Sequence, residues 1–370
     1  MIIFTIICFG LLIFYSSLLI YFAIGYKKTS YFNPSYKNTT PLTIIICARN
    51  EEKTISRCIA SILNQDYDLT NVELILINDA SKDKTVVRAE KILTKSKIDY
   101  KIISNPFQKG KKQSIDYAIT FAKNELIILR DADTFTNSTF WLQSIVDFKI
   151  ENNSDLIIAP VAIADNFGLL WALQAVESNI LTLITCGSTY FKKSFLCNGA
   201  NLIFTKSIFN KVNGFSSHLN IMSGDDVLFL EDVKKIKAVT INYLKCLDAI
   251  VYTYPAYSFK ILITQKIRWA SKFKHNKNKL NSILAFLIFI INSVWLSCFL
   301  TYFLSNQTEI AGLYFVFLKL IIDNLLLFLT SSFIKTRGLK WYALTVSFIY
   351  PMYALIVGIA SVLIKPVWKK

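Results

Sequence analysis

Three times from Leu42 onward the chain sets a short apolar run ahead of a polar cluster, and the first two are followed by stretches that read as helix. The runs are Leu42–Cys47, Val72–Ile77 and Leu126–Leu129. Such runs, bounded by polar residues, predict strands buried on both faces of a parallel sheet. The stretches between them predict crossover helices, the first to about Leu63 with Ile55, Ile59 and Ile62 on one face. A further helix is expected to about Lys95, a short strand at Tyr100–Ile103, and a helix from Gly110 to Ala122. The second half is less regular. It predicts a strand over Asp155–Pro160, a helix over Phe167–Ile184, a loop at Cys197 entering a strand, and a helix from about Val227. The fold class is α/β with a mostly parallel sheet.

Four stretches are apolar over a much greater length: 1–25, 282–304, 310–334 and 341–364. Each exceeds the roughly 20 residues needed to cross a bilayer. The first stretch holds no Lys or Arg, Lys27 and Lys28 follow it, and its apolar core is longer than a signal peptide's, so a cleavable signal peptide is not expected. The positive-inside rule puts the domain that follows in the cytoplasm, Ser305–Glu309 outside and Lys335–Lys340 inside. The tail, Lys365–Lys370, carries three lysines on what would be the outer side, against the rule. Lys319 and Asp323, four apart within the third stretch, are expected to pair on one helix face. The expected organisation is an anchor at 1–26, an α/β domain at 41–256, a basic amphipathic helix at 257–280 and membrane helices at 281–370.

Composition narrows the partners. The chain is 53% hydrophobic and carries a formal charge of +16. That charge suits nucleic acid or an anionic membrane. The densest basic run, seven Lys and Arg without an acid over Tyr257–Lys279, directly precedes an apolar stretch. A membrane surface is therefore expected, and no nucleic acid. The seven cysteines show no CxxC spacing, so neither a zinc site nor a disulfide framework is expected.

Polar clusters end the three strands at Arg49-Asn50-Glu51, at Asn78–Asp83 and at Asp131/Asp133. In open α/β sheets the ligand crevice lies at the carboxyl ends of the strands. Asp131 and Asp133, two apart on an extended chain, share one side. Such a pair suits a divalent metal that also holds phosphate oxygens; alone, it is more often a solvated strand end.

Taken in order, the motifs resemble the membrane-anchored, inverting branch of the family 2 glycosyltransferases, with a GT-A (Rossmann-like) catalytic domain. Ile44–Glu52 resembles the family's first strand and Asn-Glu turn, which includes Glu51. Leu76-Ile-Asn-Asp-Ala-Ser81 resembles the VDDGS segment, with Asn and Ala replacing its first Asp and its Gly. Gly110-Lys111 resembles the Gly-Lys near the nucleotide, Asp131-Ala-Asp133 the metal-binding DxD, Gly224-Asp225-Asp226 the element that ends in the catalytic base, and Gln265-Lys-Ile-Arg268-Trp269 the QxxRW motif.

The resemblance implies transfer of a sugar from a nucleotide-sugar donor, UDP-linked, to a lipid-linked or polysaccharide acceptor, with Mn2+ or Mg2+ as cofactor. Asp79 would recognise the base, and Asp131 and Asp133 the metal, with Asp131 alternatively on the ribose. Asp226 would take the acceptor proton and Asp225 would meet other acceptor hydroxyls or cap a helix. Gln265 and Arg268 would meet phosphate or acceptor oxygens, and Trp269 would stack on a sugar. A processive synthase is a narrower alternative. A transport or scaffold protein is a different class, but it leaves the polar middle of the chain without a role.

Overall fold

A computed structural model describes residues 2–219, 221, 224–271, 279–304, 310–334 and 336–364. The expected outer loop Ser305–Glu309, the tail Lys365–Lys370 and most of the basic run beyond Ser271 lie outside the described residues.

In chain order the elements are α1 (Ile2–Lys28), β1 (Leu42–Ala48), α2 (Ile55–Leu63), β2 (Val72–Asn78), α3 (Thr85–Leu93), β3 (Asp99–Ser104), α4 (Lys111–Phe121) and β4 (Leu126–Asp131). Then come β5 (Thr134–Phe135), α5 (Trp141–Asn152), β6 (Leu156–Ile158), β7 (Val161–Ile163), α6 (Leu169–Tyr190), β8 (Asn201–Thr205), α7 (Lys206–Lys211) and α8 (Asp225–Val233). The chain ends with β9 (Ile241–Tyr243), β10 (Val251–Thr253), α9 (Phe259–Ser271), α10 (Lys279–Leu304), α11 (Ile310–Ile334) and α12 (Leu339–Leu363). Contacts divide the chain into two units, 28–164 with 188–254 and 1–27 with 165–187 and 255–370.

The first unit is built on a seven-stranded sheet of order β3-β2-β1-β4-β8-β6-β9. Leu42, Ile44, Ile46, Leu74, Leu76 and Ile128 are wholly buried, as apolar runs in a central sheet must be. Ile55, Cys58, Ile59 and Ile62 of α2 are likewise at zero exposure, one stripe of an amphipathic helix laid on the sheet. β1, β2, β3 and β4 run parallel. β8 runs antiparallel to both of its neighbours, β4 and β6. A second sheet, β5-β10-β7, has three short strands.

The register sets up the site. Cys47 of β1 pairs with Ile77 of β2 on one side and Asp131 of β4 on the other. The chain proceeds outward from β1 through β2 to β3, then returns to β4 on β1's other flank. That reversal opens a crevice at the carboxyl ends of β1 and β4.

The second unit is helical. Among the described residues five helices are long and apolar enough to cross a membrane: α1, α10, α11 and α12 as expected, and α6. The expected continuous domain at 41–256 is therefore interrupted, because 165–187 packs with the helical unit. Cys8 and Leu12 of α1 pack against Ile291, Trp295, Phe315 and Leu320. Lys319, 1% exposed, meets Asp323 at 2.6 Å, and Tyr15 of α1 donates to the other carboxylate oxygen at 2.8 Å.

Candidate active site

Asp79 follows β2 and is almost fully buried. Its Oδ1 accepts from the Lys109 N–H at 2.8 Å, Asn105 Nδ2 at 3.1 Å and Ser114 Oγ at 3.2 Å, and its Oδ2 from the Gly110 N–H at 3.0 Å. The carboxylate thus satisfies the amides ahead of α4 that have no partner within the helix. Here Asp79 holds the loop that carries Lys111, a task the motif alone did not reveal. Ala80, where the resembled motif has glycine, sits at φ +54, in the left-handed region. Asn50 is also left-handed, and its side-chain oxygen accepts from the Lys82 N–H at 2.9 Å, tying the first two strand-end loops together. Glu51 lies in the same loop, with its carboxylate accepting from Thr54 Oγ1 at 2.9 Å.

Lys111 begins α4 and reaches across the crevice. Its ammonium lies 2.7 Å from Asp131 Oδ1 and 3.1 Å from Asp225 Oδ2. The strand-end aspartate and the aspartate at the start of α8, 94 residues away in sequence, are thereby clasped by one cation. Burial alone would depress the ammonium's pKa, but the charges of Asp131, Asp225 and Asp226 outweigh it and hold it well above the ordinary lysine value. Asp131 and Asp133 are both half-buried, with Ala132 turned inward between them, so the two carboxylates share the outer side. Burial, opposed by Lys111 and reinforced by Asp79, Asp131 and Asp225, pushes the Cys47 thiol beside them up to about 12.

Asp225 and Asp226 occupy the first turn of α8, where the helix dipole favours negative charge. Asp226 Oδ2 accepts from the Gly199 N–H at 3.2 Å, and Oδ1 from the Val227 N–H at 2.8 Å. Gly199 was not singled out in the sequence. A Cβ there would lie 3.3 Å from Lys111 Nζ, 3.4 Å from Asp225 Oδ2 and 3.5 Å from Asp226 Cβ, so a side chain here would press on the Lys111 ammonium while meeting the two aspartates at ordinary contact distance. A second residue missed is Arg130, 1% exposed in β4 directly before Asp131. It donates to Ser61 Oγ at 2.9 Å and Thr134 Oγ1 at 3.3 Å, lies 4.4 Å from the Trp141 ring centre, and so braces the Asp131–Thr134 turn from below.

Gln265, Arg268 and Trp269 lie on α9, in the helical unit, and all three are half-buried. The expectation that the basic residues of 257–280 line a surface needs correction at Lys266. That side chain is buried, 2.6 Å from Glu177 of α6, because a lysine one turn from the buried Leu262 falls on the packed face. The described helix also starts at Phe259 rather than Tyr257.

Residues 43–212 match the family model for glycosyl transferase family 2. An uncharacterized glycosyltransferase of Haemophilus influenzae is 34% identical over 119 residues, 32% of this chain and 35% of the relative. The UDP-Glc:α-D-GlcNAc-diphosphoundecaprenol β-1,3-glucosyltransferase of Escherichia coli is 29% identical over 153 residues, 40% of this chain and 56% of the relative. The chain thus spans from about a third to just over half of these curated relatives. A solved structure of a mannosyltransferase from Pyrobaculum calidifontis, in complex with GDP-mannose and Mn2+, shares the fold over 97% of this chain and 99% of that one, with a TM-score of 0.59 at 14% identity. The parallel strands, the crevice at β1 and β4 and the matched sequence agree: residues 43–212 form a domain of the glycosyl transferase family 2 type.

Proposed function

We propose that the chain is an inverting glycosyltransferase, moving a sugar from a UDP-linked donor to a membrane-associated acceptor, a lipid-linked saccharide or growing polysaccharide. The observation that carries the reading is the clasp. Asp131 at a strand end and Asp225 at a helix start meet on one ammonium, with Asp226 adjoining, at the crevice where a nucleotide would lie. The Escherichia coli relative, named for transfer from UDP-Glc to a GlcNAc-diphosphoundecaprenol, supports the donor and the lipid-diphosphate acceptor. Five long apolar helices support a membrane setting. Lys27 and Lys28 support a cytoplasmic catalytic domain.

The donor set suits a divalent ion. Asp131 and Asp133 offer hard oxygen ligands on one side, and a cation already rests against Asp131. Among the described residues no group of three or more His, Cys, Asp or Glu is gathered to hold an ion alone. Two carboxylates completed by substrate phosphates is the usual arrangement for Mg2+-type ions. When bound, the ion would neutralise charge on the departing diphosphate. Lys111 adds a second positive charge at the same place. Asp225 is engaged by that ammonium at 3.1 Å. Asp226, oriented by the amides of Gly199 and Val227 in the first turn of α8, would take the acceptor proton.

The test uses the full chain in detergent with a panel of UDP-sugars and Mn2+, reading UDP release and the anomeric configuration of the product. Inversion with Mn2+-dependent turnover is expected. Asp133→Ala should abolish both turnover and Mn2+-dependent UDP binding; undiminished UDP affinity in that variant removes the metal role.

A further inference from the structure

The helix that carries Gln265, Arg268 and Trp269 is fastened from within the motif itself. α9 buries Leu262, Lys266 and Ile267 at 0%, 7% and 5% exposure. A lysine in an apolar stripe is costly unless its charge is paired. Lys266 is paired: its ammonium lies 2.6 Å from Glu177 Oε2. It also lies 4.1 Å from the Trp269 ring centre, within cation–π range, so one face of the expected sugar-stacking ring is already lined by an internal cation. The Tyr353 hydroxyl of α12 donates to the same Glu177 oxygen at 3.4 Å, and the Tyr353 ring packs edge-on against Phe259 of α9. One turn earlier on α6, Gln174 binds the entry to α9 on both sides of one residue. Its Oε1 accepts from the Ala256 N–H at 2.8 Å and its Nε2 donates to the Ala256 carbonyl at 3.2 Å.

We propose that Lys266, anchored by Glu177, is a positioning residue that sets the rotation of α9 and hence the presentation of Gln265, Arg268 and Trp269 for sugar transfer. The proposal rests on the function given above. Two anchors on α6, Gln174 and Glu177, hold α9 at its entry and at its middle. The first is a backbone clamp that fixes position along the axis. The second is a side-chain pair that fixes rotation about it. Since residues 265, 268 and 269 share a face one step round from 266, a turn of the helix that relaxes Lys266 moves all three together. Removing the Glu177 charge leaves the Lys266 ammonium buried without its carboxylate, and removing Lys266 takes away the link between α9 and Glu177, so either change favours that turn.

The experiment compares Lys266→Met, Glu177→Gln and the double variant in the full chain in detergent. It reads kcat, the acceptor and donor KM, and the emission of Trp269, isolated by subtracting spectra taken in a Trp269→Phe background. The expected result is a fall in kcat of roughly 10- to 100-fold in Lys266→Met, the scale of a misplacement of about 1 Å. UDP affinity should be unchanged and Trp269 emission shifted. Glu177→Gln, which keeps an oxygen acceptor and should fold where Lys266→Met does not, should lower kcat several-fold. The double variant should lose little more than the worse single one, since the two changes break one interaction. Unchanged kcat in Glu177→Gln, fully additive losses, or unshifted Trp269 emission in Lys266→Met would each overturn the proposal. A wild-type chain that transfers no sugar would instead sink the function, while the emission shift and the non-additivity, read then in thermal stability, would still report the anchor.

Discussion

Lys111→Met removes the clasp while keeping the length and apolar stem of the side chain. Two charge-assisted bonds are lost, at 2.7 and 3.1 Å. Sheltered bonds to charged groups contribute about 1.5–3 kcal/mol each. Lys111 and Asp131 keep 34% and 33% of their side-chain surface in water, whereas Asp225 keeps 14%. The outer bond is therefore discounted towards the value of an exposed pair, about 0–1 kcal/mol. The inner bond stays near the low end of the charged range. The sum is about 2 kcal/mol, or roughly 4–8 °C in Tm for a unit of this size. The same substitution leaves Asp131, Asp225 and Asp226 without their resident cation. In the wild-type chain a divalent ion must displace an ammonium from Asp131; in the variant it need not. Binding of Mn2+ without nucleotide, followed by electron paramagnetic resonance, should tighten roughly tenfold, the equivalent of about 1.4 kcal/mol, while sugar transfer falls. The pH dependence has a definite sign. The Lys111 pKa is raised in the folded chain, so its stabilisation is complete below the ordinary lysine value and is lost only as pH rises beyond it. The Tm difference between wild type and variant should therefore be flat between about pH 6 and 9. Weaker or unchanged Mn2+ binding, or a difference that varies across that window, refutes the reasoning.

Asp226→Asn should bind donor and metal normally while kcat falls by roughly 10²–10⁴, the usual contribution of a general base; Asp225→Asn should lose less kcat and raise the acceptor KM, and the reverse pattern in steady-state kinetics would exchange the two roles. Gly199→Ala puts a methyl group 3.3–3.5 Å from Lys111, Asp225 and Asp226. Because side chains can yield by a few tenths of an ångström, thermal stability should change by less than about 1 kcal/mol, but turnover should fall about tenfold through displacement of the Lys111 ammonium; full turnover would show that this approach does not matter. Ala80→Gly should relieve about 1–2 kcal/mol of left-handed strain against about 0.4–1 kcal/mol of added chain entropy, so urea denaturation should show a small gain in stability, and a loss would place the strain elsewhere.

The strands β1, β2 and β4 were legible because a strand buried on both faces has no polar position to spare, and its apolar run is its own signature. Their shared carboxyl edge followed from the alternation of strand and helix, which permits few topologies. Direction is not written in such a run. Asn201–Thr205 is as apolar as its parallel neighbours, yet it enters antiparallel between β4 and β6. Length and polarity also misled over α6. Its 22 residues include Gln174, Glu177, Ser178 and Asn179, which dilute the hydropathy of a helix that is nonetheless apolar enough to cross a membrane. At least two of those polar residues are there to hold α9.

Contacts within one helical turn can be read from spacing, and contacts between elements cannot. Lys319 and Asp323 were expected to pair because residues four apart on a helix share a face, and they do, at 2.6 Å. Tyr15, which completes that pair from α1, stands 308 residues from Asp323 and has no local signal at all. Lys266 shows the same division inside one motif. Its place on the packed face of α9 is a matter of period, available from Leu262 one turn earlier, but the carboxylate that makes a lysine tolerable there belongs to α6. Without that partner in view, a lysine amid a basic run reads as surface. The clasp is the extreme case: Lys111, Asp131, Gly199 and Asp225 come from four elements or loops, and each alone is an ordinary residue at the end of something. A motif spread along the chain therefore names the candidates, while the division of labour among them depends on which cation faces which carboxylate, a property that exists only once the sheet has closed the distance.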